Sequence, residues 1–408
     1  MLRYQGVLGA FVGLGNTIGP FLAAGFTHNV SWRGTFWFIA PLAICVAAFL
    51  TMLLPNSKMP KESAKDKLLK VDWTGIFFSS VGTVVLLIPV SGLRTQFEPS
   101  SPMVISMITL GVVLLLLFLL NEWKFARLQM LPLRLFKNVA LAAMLAQNFL
   151  IGIVFYSLLY YLPIYYQSAR QMSVIASAAL ILPLVITQSI ASILSGQYIS
   201  RIGRYGEVIW LGYACWTLGA GLHLIFSRTI PTIGIVFVLI IEGFGVGLVF
   251  QPTLVAAQAH SAKSDRAVVI SARNFIRAFG GSVGLSIASA IYSNSLLRGL
   301  PTTLPSDLVT AIKGSIFDMP DMSTLPKGEK ATLLDAYANA AKAVFYLWFV
   351  SIAICLTLMV FIKDKGLQRK DENVAKQSGD DETPIDQSTG IAVVDEKHEG
   401  QSVRGASA

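Results

Sequence analysis

Charged residues are scarce in this sequence. Asp, Glu, Lys and Arg together make up 13% of its 408 residues, whereas soluble domains carry about a quarter. Hydrophobic residues account for 54%, and the mean hydropathy is +0.63. This balance excludes a soluble enzyme and a disordered chain. It indicates an all-α polytopic membrane protein, because lipid offers the backbone no hydrogen-bond partners.

Cysteine and histidine are also rare. The three cysteines, Cys45, Cys215 and Cys355, lie in separate apolar runs. No CxxC pair or His/Cys cluster is present, which argues against a disulfide framework and a metal site. No nucleophile–base motif or phosphate-binding loop is recognisable either. We therefore expect no enzyme, no catalytic residue and no metal, and basic runs typical of nucleic-acid binding are absent too.

Long hydrophobic runs are abundant. A membrane-spanning helix needs about 20 apolar residues. The runs predict about ten such helices, at 4–26, 35–54, 74–93, 103–121, 139–164, 173–199, 207–226, 231–251, 267–293 and 342–362. We expect residues 294–341 to form an outer loop with short surface helices. The polar segment 363–408 is expected to be a disordered cytosolic tail.

Lysine and arginine are unevenly distributed between the two sets of loops. One set holds thirteen of them and the short loops of the other set hold four. Because cytosolic loops are enriched in these residues, the first set is predicted to be cytosolic. The chain is then a multi-pass protein whose two ends both face the cytosol.

Ionisable residues within the predicted spans are the strongest functional signal, since charge is costly in lipid. Glu242 lies mid-span, and a buried carboxylate can exchange a proton near neutral pH. Arg273 and Arg277 share one helix face; Arg273 is expected to reach the cytosolic interface, and Arg277 to face a partner or a water-filled cavity. We assign these three residues to proton or substrate coupling. A pairing of Arg277 with Glu242 and a purely structural Glu242 both remain open, and His223 is expected to be a helix-interface residue.

Other polar residues within the spans are candidates for lining a cavity. Asn148, Tyr156, Tyr160 and Gln188 carry amide or phenol groups that suit an amphipathic organic molecule. Glycine is frequent in several spans, where it lets helix backbones approach closely. Gly15, Gly19 and Pro20 in the first span combine small size with a proline that permits a bend.

Two motifs resemble those of a known family. Gly15 to Ala24 is similar to the antiporter motif of major facilitator superfamily exporters, G-x-x-x-G-P-x-x-G-G, with alanine at its last two positions. A second stretch resembles the cytosolic loop motif of the C-terminal half in that family, through Gly196, Arg201, Gly203 and Arg204. Together they resemble the fourteen-helix drug:proton antiporters, the fungal-type multidrug and toxin efflux pumps.

The resemblance implies a major facilitator fold and a division of the chain. The last two helices of the N-terminal bundle would occupy 1–54, and a cytosolic loop with two linker helices 55–138. A six-helix C-terminal bundle would occupy 139–362, followed by the tail 363–408. In this register helices one to four of the family would be missing.

The resemblance also implies proton-coupled efflux of amphipathic organic compounds by alternating access. The proton gradient would drive it without a cofactor. The expected partners are a small amphipathic substrate and the bilayer, and the protein, if full length, is expected to be a monomer in the plasma membrane or, alternatively, the vacuolar membrane. A proton-coupled importer of siderophore type and a truncated, non-transporting membrane protein are the alternatives.

Overall fold

The structure is a computed structural model that describes residues 2–53, 71–92, 97–98, 100–125, 129–262, 265–301, 304–314, 325–364 and 366. These residues all belong to one compact unit. The described part of the chain is helical apart from short connections. The predicted all-α membrane fold is therefore confirmed.

Eleven α-helices occupy the described ranges, together with three short 3-10 helices. In chain order they are α1 (Leu2–Asn29), α2 (Arg33–Leu53), α3 (Trp73–Ser91), α4 (Pro102–Lys124), α5 (Val139–Ser168), α6 (Val174–Ile202), α7 (Gly206–Leu222), α8 (Thr232–Ala259), α9 (Arg266–Gly299), α10 (Ser306–Gly314) and α11 (Lys327–Leu358). The 3-10 helices are Leu133–Lys137, His223–Ile225 and Met359–Phe361.

Nine of these helices, α2 to α9 and α11, are long and apolar enough to cross a membrane. Each coincides with one of the predicted spans. The remaining predicted span corresponds to the 28-residue helix α1. Within α1 the described residues include the apolar stretch Ile18–Thr27. Nine helices of spanning length therefore stand in the described part of the chain, and the tenth predicted span stays a prediction.

The predicted outer loop is shorter than expected. Helix α9 continues to Gly299 and α11 already begins at Lys327, so residues 294–299 and 327–341 are helical. The turns at these helix ends carry polar side chains, so a hydropathy criterion did not assign them to the helices. Residues 54–70 and the chain beyond residue 366 lie outside the described residues, so the cytosolic loop and tail stay predictions.

Six helices, α5 to α9 and α11, share one hydrophobic core. Helix α1 packs against α6 and touches α8, and α2 packs mainly on α1 with no buried side chain in the described part. Helices α3 and α4 form an antiparallel pair, and α3 packs against α9. The ionisable residues singled out from the sequence all lie on helices of the six-helix core.

Glycines bring the helices of this core into backbone contact. A Cβ at Gly243 or Gly247 of α8 would collide with backbone oxygens of α6, and one at Gly245 with the backbone of α7. Gly152 of α5 and Gly280 of α9 face each other's helix in the same way. Such close approach is how small residues strengthen helix packing in lipid.

Candidate transport site

Glu242 lies at the contact between α7 and α8 and is completely buried. Its Oε1 accepts a hydrogen bond of 3.2 Å from the indole Nε1 of Trp216. Gly219 of α7 packs directly against the Glu242 backbone, since a Cβ there would come within 2.8 Å of the Glu242 Cβ. The carboxylate is thus held between two helices and away from the surface.

His223 is the second partner of Glu242. Its Nε2 lies 3.5 Å from Glu242 Oε2, and both side chains are fully buried. The other ring nitrogen, Nδ1, lies 2.9 Å from the carbonyl oxygen of Gly219. A carbonyl only accepts, so Nδ1 carries a proton and Nε2 is left to exchange one with the carboxyl group. The pair can therefore hold a proton between α7 and α8.

The expected interface position of His223 agrees with this geometry, but its contact with Glu242 was not foreseen. The residues of the pair are 19 positions apart and belong to different helical segments. The signal that could have found it is the reverse turn between α7 and α8, which brings the end of one helix beside the middle of the next.

Arg273 does not reach the cytosolic interface, contrary to expectation. It is buried, with 4% of its surface exposed. Its Nη2 donates to the backbone oxygen of Phe250 at 2.8 Å and to Thr253 Oγ1 at 3.0 Å. Both acceptors belong to α8 and are uncharged, so the guanidinium joins α9 to α8 without an acidic partner. The extended side chain turned inward because carbonyl and hydroxyl oxygens were within reach there.

Arg277 is half-buried, one turn further along α9. Its guanidinium carbon lies 5.3 Å from the ring centroid of Phe250, a cation–π distance. Its Nη2 lies 3.4 Å from Asn274 Oδ1. The hypothesised pairing of Arg277 with Glu242 is wrong, because the carboxylate is engaged by Trp216 and His223 instead.

Neither arginine has an acidic counter-charge in the described part of the chain. The ion pairs found there join other residues, Arg134 with Asp265, Arg204 with Glu207, His223 with Glu242, and Arg228 with Asp335. Two cationic groups one turn apart inside a membrane helix are costly unless an anion approaches them. Asn274 and the phenol of Tyr156, on the facing helix α5, add hydrogen-bonding groups beside Arg277.

A run of contacts connects Arg277 to Glu242. The Phe250 ring under Arg277 lies 6.2 Å from the Trp216 ring, centroid to centroid. Trp216 in turn donates to Glu242. The arginines on α9 and the acid on α8 are therefore linked through packed aromatic side chains.

The four predicted cavity-lining residues fall into two groups. Asn148 and Gln188 are buried and each leaves an amide oxygen without a hydrogen bond. Tyr156 and Tyr160 on α5 are 38% and 48% exposed. None of the four lines the cavity of about 580 Å³ that opens between α3, α4, α5, α9 and α11.

The glycines of the antiporter motif do not pack closely. A Cβ added at Gly15 or Gly19 would meet no described atom within 4 Å. Pro20 is likewise exposed, although α1 as a whole packs on α6. The described residues therefore supply no close partner for this pair, and its role in helix packing and bending stays a prediction.

The cytosolic loop motif forms the tight connection between α6 and α7. Gly203 ends α6 in a left-handed conformation with φ +77°, which glycine adopts without strain. Gly196 is buried in α6, Arg201 is exposed, and Arg204 forms a 3.0 Å ion pair with Glu207. The Asp364 carboxylate accepts hydrogen bonds from the amides of Tyr205 and Gly206, which fixes this loop to the end of the core.

Curated relatives are transporters rather than enzymes. The chain is 47% identical over 375 residues to Citrate exporter 1 of Yarrowia lipolytica, covering 92% of this chain and 55% of that protein. It is 35% identical over 371 residues to the MFS-type transporter clz4 of Cochliobolus lunatus, covering 90% and 65%. It is 29% identical over 366 residues to Efflux pump dotC of Dothistroma septosporum, covering 88% and 62%.

The chain thus spans between 55% and 65% of the length of these three relatives. A family model described as Major Facilitator Superfamily matches residues 2–285, well over half of the chain. That range contains both motifs, Glu242 and the two arginines of α9. The chain therefore belongs to the Major Facilitator Superfamily, and its helices of spanning length are those of a multi-pass membrane protein.

Proposed function

We propose that the protein exports small organic anions with carboxylate groups in exchange for protons. The observation that carries this proposal is the arginine pair Arg273–Arg277, which has no acidic counter-charge among the described residues. An anionic substrate would supply that charge. The similarity to a citrate exporter supports the same substrate class, because citrate carries three carboxyl groups.

Arg277 is the residue best placed to contact the substrate. It is half-buried and flanked by Asn274 and Tyr156, whereas Arg273 is committed to α8. A guanidinium can bind a carboxylate through two parallel hydrogen bonds, which gives both strength and orientation. Arg273, one turn away, adds positive potential at the same face of α9.

The proton would be carried by Glu242 with His223. Protonation of Glu242 removes a charge that sits beside Trp216 and changes the field at the aromatic contacts under Arg277. Proton binding and substrate binding would then favour opposite-facing states, as antiport requires. The proton gradient supplies the driving force in this scheme without a cofactor.

Export of amphipathic compounds such as drugs or toxins is the second candidate. The aromatic surface at Arg277 favours it, since Phe155 and Phe250 lie 4.9 Å apart beside the exposed Tyr156. Similarity to an efflux pump gives further support. The relatives named a citrate exporter and an efflux pump both move substrates outward, so similarity to them favours export over import. We also propose that the protein resides in the plasma membrane, where an exported substrate leaves the cell.

Loss of labelled citrate from preloaded cells tests the proposal. The transporter is expressed at its native length as wild type, Arg277→Gln and Arg228→Gln. Arg228 is the matched control. It forms an ion pair with Asp335 beyond the end of α7, and it does not belong to α9, which carries the arginine pair. Removal of a substrate-binding guanidinium should slow citrate efflux about tenfold, an effect of about 1.4 kcal/mol.

Equal efflux rates in Arg277→Gln and Arg228→Gln would contradict the carboxylate proposal. A labelled neutral amphipathic compound is measured in parallel. If that compound is exported while citrate is retained by the wild type, the second candidate replaces the first.

A further inference from the structure

A cavity of about 580 Å³ lies between the α3–α4 pair and the six-helix core. Its volume is within the range of about 300–1,000 Å³ that is typical of small-molecule sites. Most of the walls come from helices of spanning length, and Leu131 and Phe136 of the α4–α5 connection close one end. The lining residues are Ser79, Thr83, Leu115, Phe118, Leu119, Leu131, Phe136, Leu145, Ala146, Phe149, Leu150, Phe275, Ile276, Phe279, Ile354 and Leu358.

The cavity offers almost nothing to a polar ligand. Its two polar side chains, Ser79 and Thr83, both donate to backbone oxygens of their own helix α3. The other lining residues are apolar, including a stacked pair of rings, Phe275 and Phe279, on α9. The chemistry of the walls therefore suits a hydrocarbon chain.

Basic residues follow two of the lining segments along the chain. Phe136 lines the cavity, is 40% exposed and directly precedes the exposed Lys137. Helix α4 ends at the same side with the exposed Lys124, about one turn beyond the lining residue Leu119. The uneven distribution of lysine and arginine predicts that this end faces the cytosol, where the leaflet carries anionic lipids.

Among the described residues, the acidic side chains at this end are engaged within the protein. Asp72 accepts hydrogen bonds from Asn121 and from the amide of Gly75. Glu122 is buried and accepts from the amide of Met130, and Asp265 pairs with Arg134. In the described part of this end, the exposed Lys124 and Lys137 thus leave positive charge for a ligand at the rim.

We propose that this cavity binds an acyl chain of an anionic phospholipid from the cytosolic leaflet, with the headgroup at Lys137 and Lys124. The acyl chain fills the space between the α3–α4 pair and the core and contacts both. It packs on Phe275 and Phe279, roughly on the opposite side of α9 from Arg273 and Arg277. Lipid composition would therefore act on the helix that carries the arginine pair, although lipid binding itself does not depend on the proposed substrate.

Photo-crosslinking tests this site directly. The full chain is purified in detergent and incubated with phosphatidylserine that carries a diazirine on its acyl chain, and labelled peptides are mapped by mass spectrometry. We expect labelling of the α5 segment around Ala146 and of the α9 segment around Phe275. Phosphatidylcholine with the same acyl probe should label these segments less.

Two variants and a control define the outcome. Ala146→Trp projects a large side chain into the cavity and should reduce labelling of both segments about tenfold. Ala214→Trp places the same side chain at an exposed position on α7, away from the cavity, and should change nothing. Lys137→Glu should abolish the preference for phosphatidylserine while leaving the monodispersity of the protein unchanged.

Unchanged labelling in Ala146→Trp would overturn the site. Equal labelling of α7 would overturn it too, because the probe would then report only the lipid that surrounds every membrane protein. Equal labelling by the two lipids would overturn the role of the headgroup. Neither result depends on transport, so a failure here is distinguishable from a failure of the citrate experiment.

Discussion

Glu242 and Arg277 differ in how completely neighbouring protein groups meet their hydrogen-bonding and charge requirements. Glu242 is enclosed, with one oxygen bonded to Trp216 and the other facing His223. Arg277 is only half-buried, and its described partners, Phe250 and Asn274, carry no charge. In the proposed function, the enclosed acid holds the proton and the half-buried arginine receives the incoming anion.

The first prediction concerns Glu242→Gln. Glutamine keeps the shape and the acceptor for Trp216 but cannot exchange a proton. One pH unit of gradient contributes about 1.4 kcal/mol for each proton carried, a factor of about ten. Citrate efflux by the wild type should therefore accelerate as the external pH falls from 7 to 5, and efflux by Glu242→Gln should lose this response. Labelled citrate loss at the two pH values measures it.

Glu207→Gln is the control, because Glu207 is exposed in the first turn of α7 and bonded to Tyr198 and Arg204. It should retain the pH response of the wild type. A full pH response in Glu242→Gln would remove Glu242 from proton coupling.

The sequence identified the ionisable residues but not their partners. Polarity against an apolar background was enough to single out Glu242, Arg273 and Arg277. Their contacts depend on which helix faces which, and that information is tertiary. Arg273 shows the consequence, since its long side chain was expected at the interface and instead bonds to α8.

Among the helices, α8 depends on glycine on two of its sides. Gly243 and Gly247 admit the backbone of α6, and Gly245 admits α7. The same residue type has the opposite surroundings in α1, where Gly19 faces no described atom within 4 Å. The cost of a methyl group should therefore differ sharply between these helices.

The second prediction compares Gly247→Ala with Gly19→Ala. The new Cβ at position 247 would lie 2.7 Å from the Cβ of Ala191, too close for any real contact. Overpacking of this kind costs about 1–3 kcal/mol. Thermal unfolding in detergent should show a lower melting temperature for Gly247→Ala. Gly19→Ala should match the wild type, and equal losses in both variants would contradict the assigned packing.

Hydropathy located nine spanning helices and missed the extent of two. It fails where a helix leaves the apolar layer, because polar turns of α9 and α11 do not differ in composition from a loop. Only the backbone hydrogen bonds reveal that these helices continue. Glycine content likewise indicated close packing in general, but not which glycines meet a neighbouring backbone in the described part of the chain.

For the whole molecule, orientation is the first testable property. The third prediction uses the two ends of α7. A cysteine in place of Arg204 should react with a membrane-impermeant maleimide only after permeabilisation, because the α6–α7 loop is predicted to be cytosolic. A cysteine in place of Arg228 should react in intact cells.

The unmutated chain supplies the background, since its cysteines lie within helices of spanning length. The reverse pattern of labelling would invert the topology. It would also place the proposed lipid cavity in the outer leaflet.

Direct binding measurements test whether Arg277 receives a carboxylate. Citrate is titrated onto the purified full chain by calorimetry, for wild type, Arg277→Gln and the control Arg228→Gln. We predict saturable binding to the wild type and the control, and affinity about tenfold lower for Arg277→Gln. The same affinity in all three proteins would contradict the claim, because the arginine pair would then contribute nothing to anion recognition.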